Sequence, residues 1–241
     1  MLITWPRALM HGVFLERLHR FAARCMVEGA EALVHVPATG RMKELLVEGA
    51  EVGLLPAAGE GRKTAWTLTL VRHGGIWVHV DSGGPTRVIP ALVRHRLVPG
   101  LDGYAMLTAE PRIPEGARSE AGQGRFDFLL THPARPPLWV EAKSVTLVRE
   151  GVALFPDAPT PRGARHLREL ARLRQQGQGA AVLFVAQRKD ALEVRPNWTT
   201  HPDFGQALRE AEEAGVLLLG VAIRASWDGL RLERTLPVRT D

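Results

Sequence analysis

Residues 180–187, AAVLFVAQ, form a continuous apolar run ending in a single polar side chain. A run of this length reads as a strand buried on both faces. Such a strand needs covering layers on either side, and this commits the surrounding chain to an α/β arrangement. The flanks agree. Upstream, TPRGARHLRELARLRQQG is the clearest helix in the chain, with Leu167, Leu170 and Leu173 on one side and Gly177 as its stop. Downstream, DFGQALREAEEAG reads as a second helix, and VLLLGVAIRA as the last strand. Further back, TRVIPALVRHRLVPG carries a helical period with Pro90 placed early, and YAMLTAEPRI, RFDFLL and LWVEAKSVTL are strand-like.

The first part of the chain has a different texture. VFLERLHRFAARCMVEG alternates imperfectly, and ALVHVPATG is a strand running into a turn. MKELLVEGAEVGLLP reads as one helical turn followed by a strand. RKTAWTLTLVRHGGIWVHV is a hairpin across His73-Gly74-Gly75, because Gly-Gly tolerates positive φ. About five short strands in this span predict a small β-barrel. The break at Ser82-Gly83-Gly84-Pro85 separates the two textures, giving an α+β protein with domains at residues 1–84 and 85–241.

Charge and cysteine content narrow the setting. The 241 residues carry 31 Lys/Arg against 26 Asp/Glu, for a net charge of +5. Most of the excess lies in the first hundred residues, where it suits contact with nucleic acid phosphates or merely marks a basic enzyme. A single cysteine, Cys25, excludes an intrachain disulfide and points to a cytoplasmic protein. The opening residues have no long apolar segment, and no membrane association is expected.

Residues 125–147, RFDFLLTHPARPPLWVEAKSVTL, carry the chemistry. If RFDFLL and LWVEAKSV pair as an antiparallel hairpin with Leu130 facing Leu138, Asp127 falls opposite Glu141. Alternation then puts Glu141 and Lys143 on one face. Opposed Cβ atoms lie ~5 Å apart, so two like charges there need an offset: a raised pKa, the neighbouring ammonium or a divalent cation. Two carboxylates with an adjacent lysine suit a hard cation such as Mg²⁺ and phosphodiester hydrolysis. The competing reading is an exposed hairpin face with a Glu–Lys pair. Only four of the 31 basic side chains are lysines, and lysine, unlike arginine, can lose its proton when desolvated.

The spacing of Asp127, Glu141 and Lys143 resembles the PD-(D/E)XK nuclease signature. The longer phrases PATGRM, RKTAWTLTLV, EAKSVTLVREGVALFPDAPTPRGARHLREL and HPDFGQALREAEEAGV resemble the sugar fermentation stimulation protein (SfsA) family over nearly the whole chain. That resemblance implies an N-terminal OB-like β-barrel and a C-terminal restriction-endonuclease-like α/β domain. It also implies DNA binding without strong sequence preference, once linked to sugar and maltose metabolism, with RNA an open alternative. Asp127 and Glu141 would then be the metal carboxylates, for Mg²⁺ or Mn²⁺, and Lys143 the catalytic lysine. Arg162 and His166, four apart on one helix face, and Asp157 on the loop before it are secondary active-site candidates; Asp157 reads equally well as a turn or cap residue. The chain departs from the family pattern at Ala38, where the relatives' phrase has asparagine, and at Asp81-Ser82 and Pro85-Thr86. Two readings stay open: a metal-dependent nuclease, or a DNA-binding regulatory protein whose nuclease-like domain is inactive.

Arg41, Lys43, Arg62 and Lys63 cluster near loops of the expected barrel and are nucleic-acid-binding candidates, with Trp66 and Trp77 nearby in sequence either as stacking surfaces or as core. Arg17, Arg20 and Arg24 either extend that surface or line an ordinary exposed face. Nine scattered histidines lack zinc spacing, and there is no phosphate-loop motif, serine-hydrolase relay or helix-turn-helix pattern.

Overall fold

The computed structural model describes residues 1–57, 64–119 and 124–241. The chain opens with a two-residue strand, β1 (Ile3–Thr4), then enters the meander β2 (Met10–His19), β3 (Ala22–Val27) and β4 (Ala30–His35). β5 (Glu51–Pro56) returns against β2, and β6 (Trp66–His73) pairs with β5. β6 also pairs in parallel with β4, through Val34–Trp66 and His35–Thr67, which closes a five-stranded barrel. Alternating inward residues, among them Phe14, Cys25, Val34, Val52, Leu54 and Leu68, fill its interior. A single helical turn, in which the Leu45 and Leu46 amides donate to the Met42 carbonyl, adds Met42 and Leu45 to that core. β7 (Ile76–His79) extends β6 across Gly74 and Gly75, whose φ values of +54° and +78° are those the Gly-Gly turn requires.

The rest of the chain runs α1 (Gly84–Arg94), β8 (Met106–Ala109), β9 (Phe128–His132), β10 (Arg135–Val145), β11 (Val148–Arg149) and β12 (Val152–Phe155). There follow α2 (Pro161–Gln175), β13 (Gly179–Ala186), β14 (Glu193–Pro196), α3 (Pro202–Glu213), β15 (Leu217–Ser226) and β16 (Gly229–Leu236). A seven-stranded sheet has the order β1-β16-β15-β13-β10-β9-β8, with β10, β13 and β15 parallel at its centre. The apolar run lies on β13 and is covered on both faces. Ala180, Val182 and Phe184 pack with Leu167, Leu170 and Leu173 of α2 and Phe204 of α3. Ala181, Leu183 and Val185 pack with Val88, Ile89 and Leu92 of α1. β11, β12 and β14 form a separate small sheet.

Three features differ from the sequence reading. VLLLGVAIRA is not the last strand: β16 follows it, alternating apolar residues with Arg231, Glu233 and Arg234. Pro90 lies inside α1 rather than in its first turn, because the helix starts at Gly84 and Pro85 takes the early position. Finally β1 pairs with β16, so the first residues complete the C-terminal sheet instead of the barrel.

Named contacts join the two parts. Leu70 of β6 packs in the α1 core. The buried His79 Nδ1–H donates to Gln187 Oε1 at 2.5 Å, while Gln187 Nε2 donates to the Asp81 carbonyl and to Ser144 Oγ, each at 2.8 Å. Burial holds the His79 imidazole down at about 4, so it stays neutral at neutral pH. No helix among the described residues is long and apolar enough to cross a membrane.

Candidate functional site

β9 and β10 pair with Leu130 against Leu138 and Phe128 against Val140. Continued by one residue, this register sets Asp127 against Glu141, and Asp127 Oδ2 accepts the Ala142 amide at 2.7 Å. On its other side β10 pairs with β13, Glu141 beside Val182 and Lys143 beside Phe184. Alternation places Glu141 and Lys143 between Trp139 and Val145, on the face that α2 covers. They are only 5% and 8% exposed. The exposed-hairpin alternative is therefore not what this face is: the charges are inside.

α2 completes the cluster. Thr160 caps it by accepting the Gly163 amide, and Pro161 opens its first turn. The leucines that anchor the helix to the sheet also turn His166 inward, where its Nδ1 lies 2.7 Å from Glu141 Oε1. Arg162, one turn earlier, donates from Nε to His166 Nε2 at 3.3 Å. An arginine Nε–H can only donate, so this contact makes His166 Nε2 the acceptor and places a proton on Nδ1, which donates to Glu141. Lys143 Nζ donates to the same Glu141 oxygen at 2.6 Å.

These contacts drive the two acids apart. Burial alone would push Glu141 up, but Lys143 and the hydrogen-bonded His166 outweigh it and hold the carboxyl at about 2. Asp127 has no such partner. Burial and the neighbouring Glu141 charge raise it to about 6, against the opposing pull of the Ala142 amide. One acid is firmly ionised and the other is poised near neutrality, the arrangement from which acid–base and ligand roles are built.

The pair has free donor capacity. Glu141 Oε2 and Asp127 Oδ1 accept no hydrogen bond among the described residues, and Lys143 keeps two N–H groups beyond its bond to Glu141. No group of three or more His, Cys, Asp or Glu side chains among the described residues has metal-ligand geometry. A cation here would rest on two carboxylate oxygens and take its other ligands from water and substrate. That donor set fits Mg²⁺ or Mn²⁺, which keep several waters and favour hard oxygen ligands.

Two clefts flank the cluster. One, of about 400 Å³, is lined by Lys143, Ser144, Asp157 and Thr160 from the C-terminal part and by Arg20, Thr39 and Gly40 from the barrel. The other, of about 350 Å³, is lined by Asp127, Arg162, Arg165, His166 and Glu110. Asp157 reaches the first cleft but does not join the carboxylates, and Thr160, not Asp157, caps α2. Its Oδ2 instead accepts the Met42 amide at 3.2 Å, and it lies against Gly40, where any Cβ would come within 2.6 Å of that oxygen. It ties the β4–β5 loop to the cleft.

Arg41 and Lys43 are exposed on that loop; Arg62 and Lys63 lie outside the described residues. Trp66 packs against the barrel core and Trp77 against the α1 core, edge-on to Trp227, so both Trp side chains are structural. The sequence reading missed Gln187, which links His79, Asp81 and Ser144 beside the catalytic-strand candidates. Its one signal was a polar side chain closing an otherwise apolar run.

A five-stranded OB barrel joined to a three-helix mixed α/β layer defines a two-domain protein, and comparisons with known proteins agree. Residues 15–80 match the family model described as SfsA N-terminal OB domain, and residues 84–229 match Sugar fermentation stimulation protein RE domain. The chain belongs to the sugar fermentation stimulation protein family. A homolog from Moorella thermoacetica is 41% identical over 238 residues, covering 98% of each chain. One from Natranaerobius thermophilus is 41% identical over 243 residues, covering 100% of this chain and 98% of its own. A solved structure described as Pyrococcus furiosus SfsA in complex with Ca²⁺ superposes with a TM-score of 0.88 at 26% identity, covering 99% of this chain and 98% of that one.

Proposed function

We propose that this protein is a cytoplasmic, DNA-binding, divalent-metal-dependent nuclease acting without strong sequence preference. One observation carries the reading. Glu141 spends one oxygen on Lys143 and His166 and keeps the other free, and Asp127, which feels the Glu141 charge, likewise keeps one oxygen free. Neither free oxygen is among the buried side-chain atoms left without a partner, so both are open to water and can take a ligand. The Pyrococcus furiosus relative is described in complex with Ca²⁺, a hard, oxygen-seeking cation that suits the same kind of donor set.

Asp127 and Glu141 would hold Mg²⁺ or Mn²⁺, which when bound polarises a phosphoryl oxygen and eases ionisation of water. The chain's own residues do the rest. Lys143, which lines the cleft shared with Arg20, would orient the attacking water and stabilise charge developing on the phosphoryl group. His166, braced by Arg162, fixes the Glu141 carboxylate so that its free oxygen keeps one direction. Arg41 and Lys43 hold the phosphate backbone from the barrel side.

The test is incubation of purified protein with single- and double-stranded DNA and RNA, with Mg²⁺ or Mn²⁺, beside Lys143→Ala and Glu141→Gln. Wild type should cleave at least one substrate, and both variants should fail. If wild type leaves every substrate intact, the protein is better read as a DNA-binding regulatory member of its family with an inactive site.

A further inference from the structure

The turn between β2 and β3 carries a feature that phosphate binding does not use. Phe21 is 45% exposed, the only Phe, Tyr or Trp side chain among the described residues open to that degree. Single exposed apolar residues are common, so exposure alone means little. Its setting is what distinguishes it. The Phe21 amide donates to His19 Nδ1 at 3.2 Å, and its carbonyl accepts the Val36 amide at 2.9 Å. Arg17 fastens the same turn to the β4–β5 loop: its guanidinium donates to the carbonyls of Arg20 and Ala38 and to those of Gly40 and Arg41, at 2.7–3.1 Å. The ring is thus presented on a backbone that is already held in place.

Next to it, across Arg20, lies a cleft whose charge is one-sided. This basic cleft, of about 510 Å³, is bounded by Arg17, His19, Arg20, Arg41 and Lys43 and has no carboxylate in its lining. Among the described residues Arg20, Arg41 and Lys43 have no carboxylate partner, whereas the neighbouring Arg24 has two, Glu16 and Glu31. Arg20 is the hinge of the arrangement. Its guanidinium lies 5.3 Å from the centre of the Phe21 ring, and it lines both the basic cleft and the cleft that contains Lys143.

We propose that Phe21 is a base-stacking platform at the mouth of this basic cleft, and that the barrel holds unpaired, single-stranded nucleic acid. A duplex conceals its base faces, so a lone exposed ring gains nothing from it, whereas an unpaired base can lie on the phenyl face while phosphates follow the cations. From Phe21 the backbone would pass Arg20 into the Lys143 cleft. The inference rests on the nucleic-acid reading above and adds the form of the ligand.

The test is anisotropy of labelled 15-mers in EDTA, where no cleavage occurs, comparing a normal strand, the same strand with abasic sites, and a duplex. Phe21→Ala should weaken binding of the normal strand about 5- to 100-fold. It should leave the abasic strand and the duplex unchanged, and Phe21→Trp should keep wild-type affinity. Equal binding by Phe21→Ala, equal loss for all three ligands, or no binding by wild type overturns the proposal. So does sedimentation in which Phe21→Ala only dissociates a dimer, since the ring would then contact a second copy. Because no turnover is read, a failed stacking test leaves the nuclease site standing, and a failed cleavage test leaves the stacking site standing.

Discussion

The barrel rim and the β9–β10 hairpin both concentrate charge, but in opposite environments. On the rim, Arg20, Arg41 and Lys43 are exposed and have no acidic partner among the described residues, and the Arg17 guanidinium donates to backbone carbonyls. In the hairpin, Glu141 and Lys143 are buried and spend their charge on each other, while Asp127 is left with a raised pKa. Exposed, unpaired cations attract a polyanion at long range and lose that attraction as salt rises. Buried, mutually oriented charges attract little from afar but fix the protonation states on which chemistry depends. On the proposed function binding and chemistry are separated in this way, and Arg20 and Lys143 line one cleft between the two regions.

Separation of this kind can be broken from the buried side first. Lys143→Ala should reduce cleavage by about 100-fold or more. It should also destabilise the fold by about 3 kcal/mol, because Glu141 is left buried with His166 alone. Lys143→Met, which keeps the stem, should lose the same activity with less loss of packing. Nucleic acid affinity in EDTA should change less than threefold for either variant; a large loss of affinity would mean that the two regions are not separate.

The next effect is a stability change with a defined pH window. The folded protein holds the Asp127 proton to about pH 6, above the ordinary value of 3.8. The folded state therefore binds that proton more tightly than the unfolded chain, and its contribution to stability falls as pH rises from about 4 through about 6. Asp127→Asn removes the penalty. In urea unfolding without metal, the variant should match wild type near pH 4 and exceed it by about 2–3 kcal/mol above pH 7. Adding Mg²⁺ at pH 8 should stabilise wild type and leave the variant unchanged. Equal pH profiles would show that Asp127 does not titrate as its surroundings dictate.

On the rim the effects are smaller and depend on salt. Arg41→Ala combined with Lys43→Ala should lower the slope of log affinity against log salt by about 2, with little change in cleavage at saturating substrate. The smallest effect belongs to Arg24, whose charge Glu16 and Glu31 already neutralise on the barrel exterior. Arg24→Ala should change stability by less than about 0.5 kcal/mol and nucleic acid affinity by less than twofold. An Arg24 effect equal to that of Arg41 and Lys43 would erase the distinction between paired and unpaired cations.

What the sequence disclosed follows the range of the interactions involved. The hairpin register was legible because Leu130 and Leu138 share one face, and a slip of one residue would set their side chains on opposite faces of the sheet. α2 was legible through its leucine spacing and its Gly177 stop, which adopts φ +80°. β16 was not, because an alternating strand near a sheet edge carries its charges outward and reads as a polar tail. The place of β1 was set by pairing with a strand more than two hundred residues away, which no local pattern encodes. In the site, Glu141 and Lys143 were legible through alternation, but the burial that makes them a coupled pair comes from α2. Asp157 was drawn to the barrel by Met42 and Gly40, and Gln187 to His79, through contacts over a hundred residues apart in sequence.

Calorimetric titration of Mn²⁺ at pH 8 into wild type, Asp127→Asn, Glu141→Gln and Lys143→Ala asks whether the hairpin is a metal site at all. One site should appear in wild type and persist in Lys143→Ala, whose side chain lies beside the ligands and is not one of them. It should vanish in both carboxylate variants. Mn²⁺ binding that survives Asp127→Asn and Glu141→Gln together, or is missing from folded wild type, would contradict the assignment of these two carboxylates.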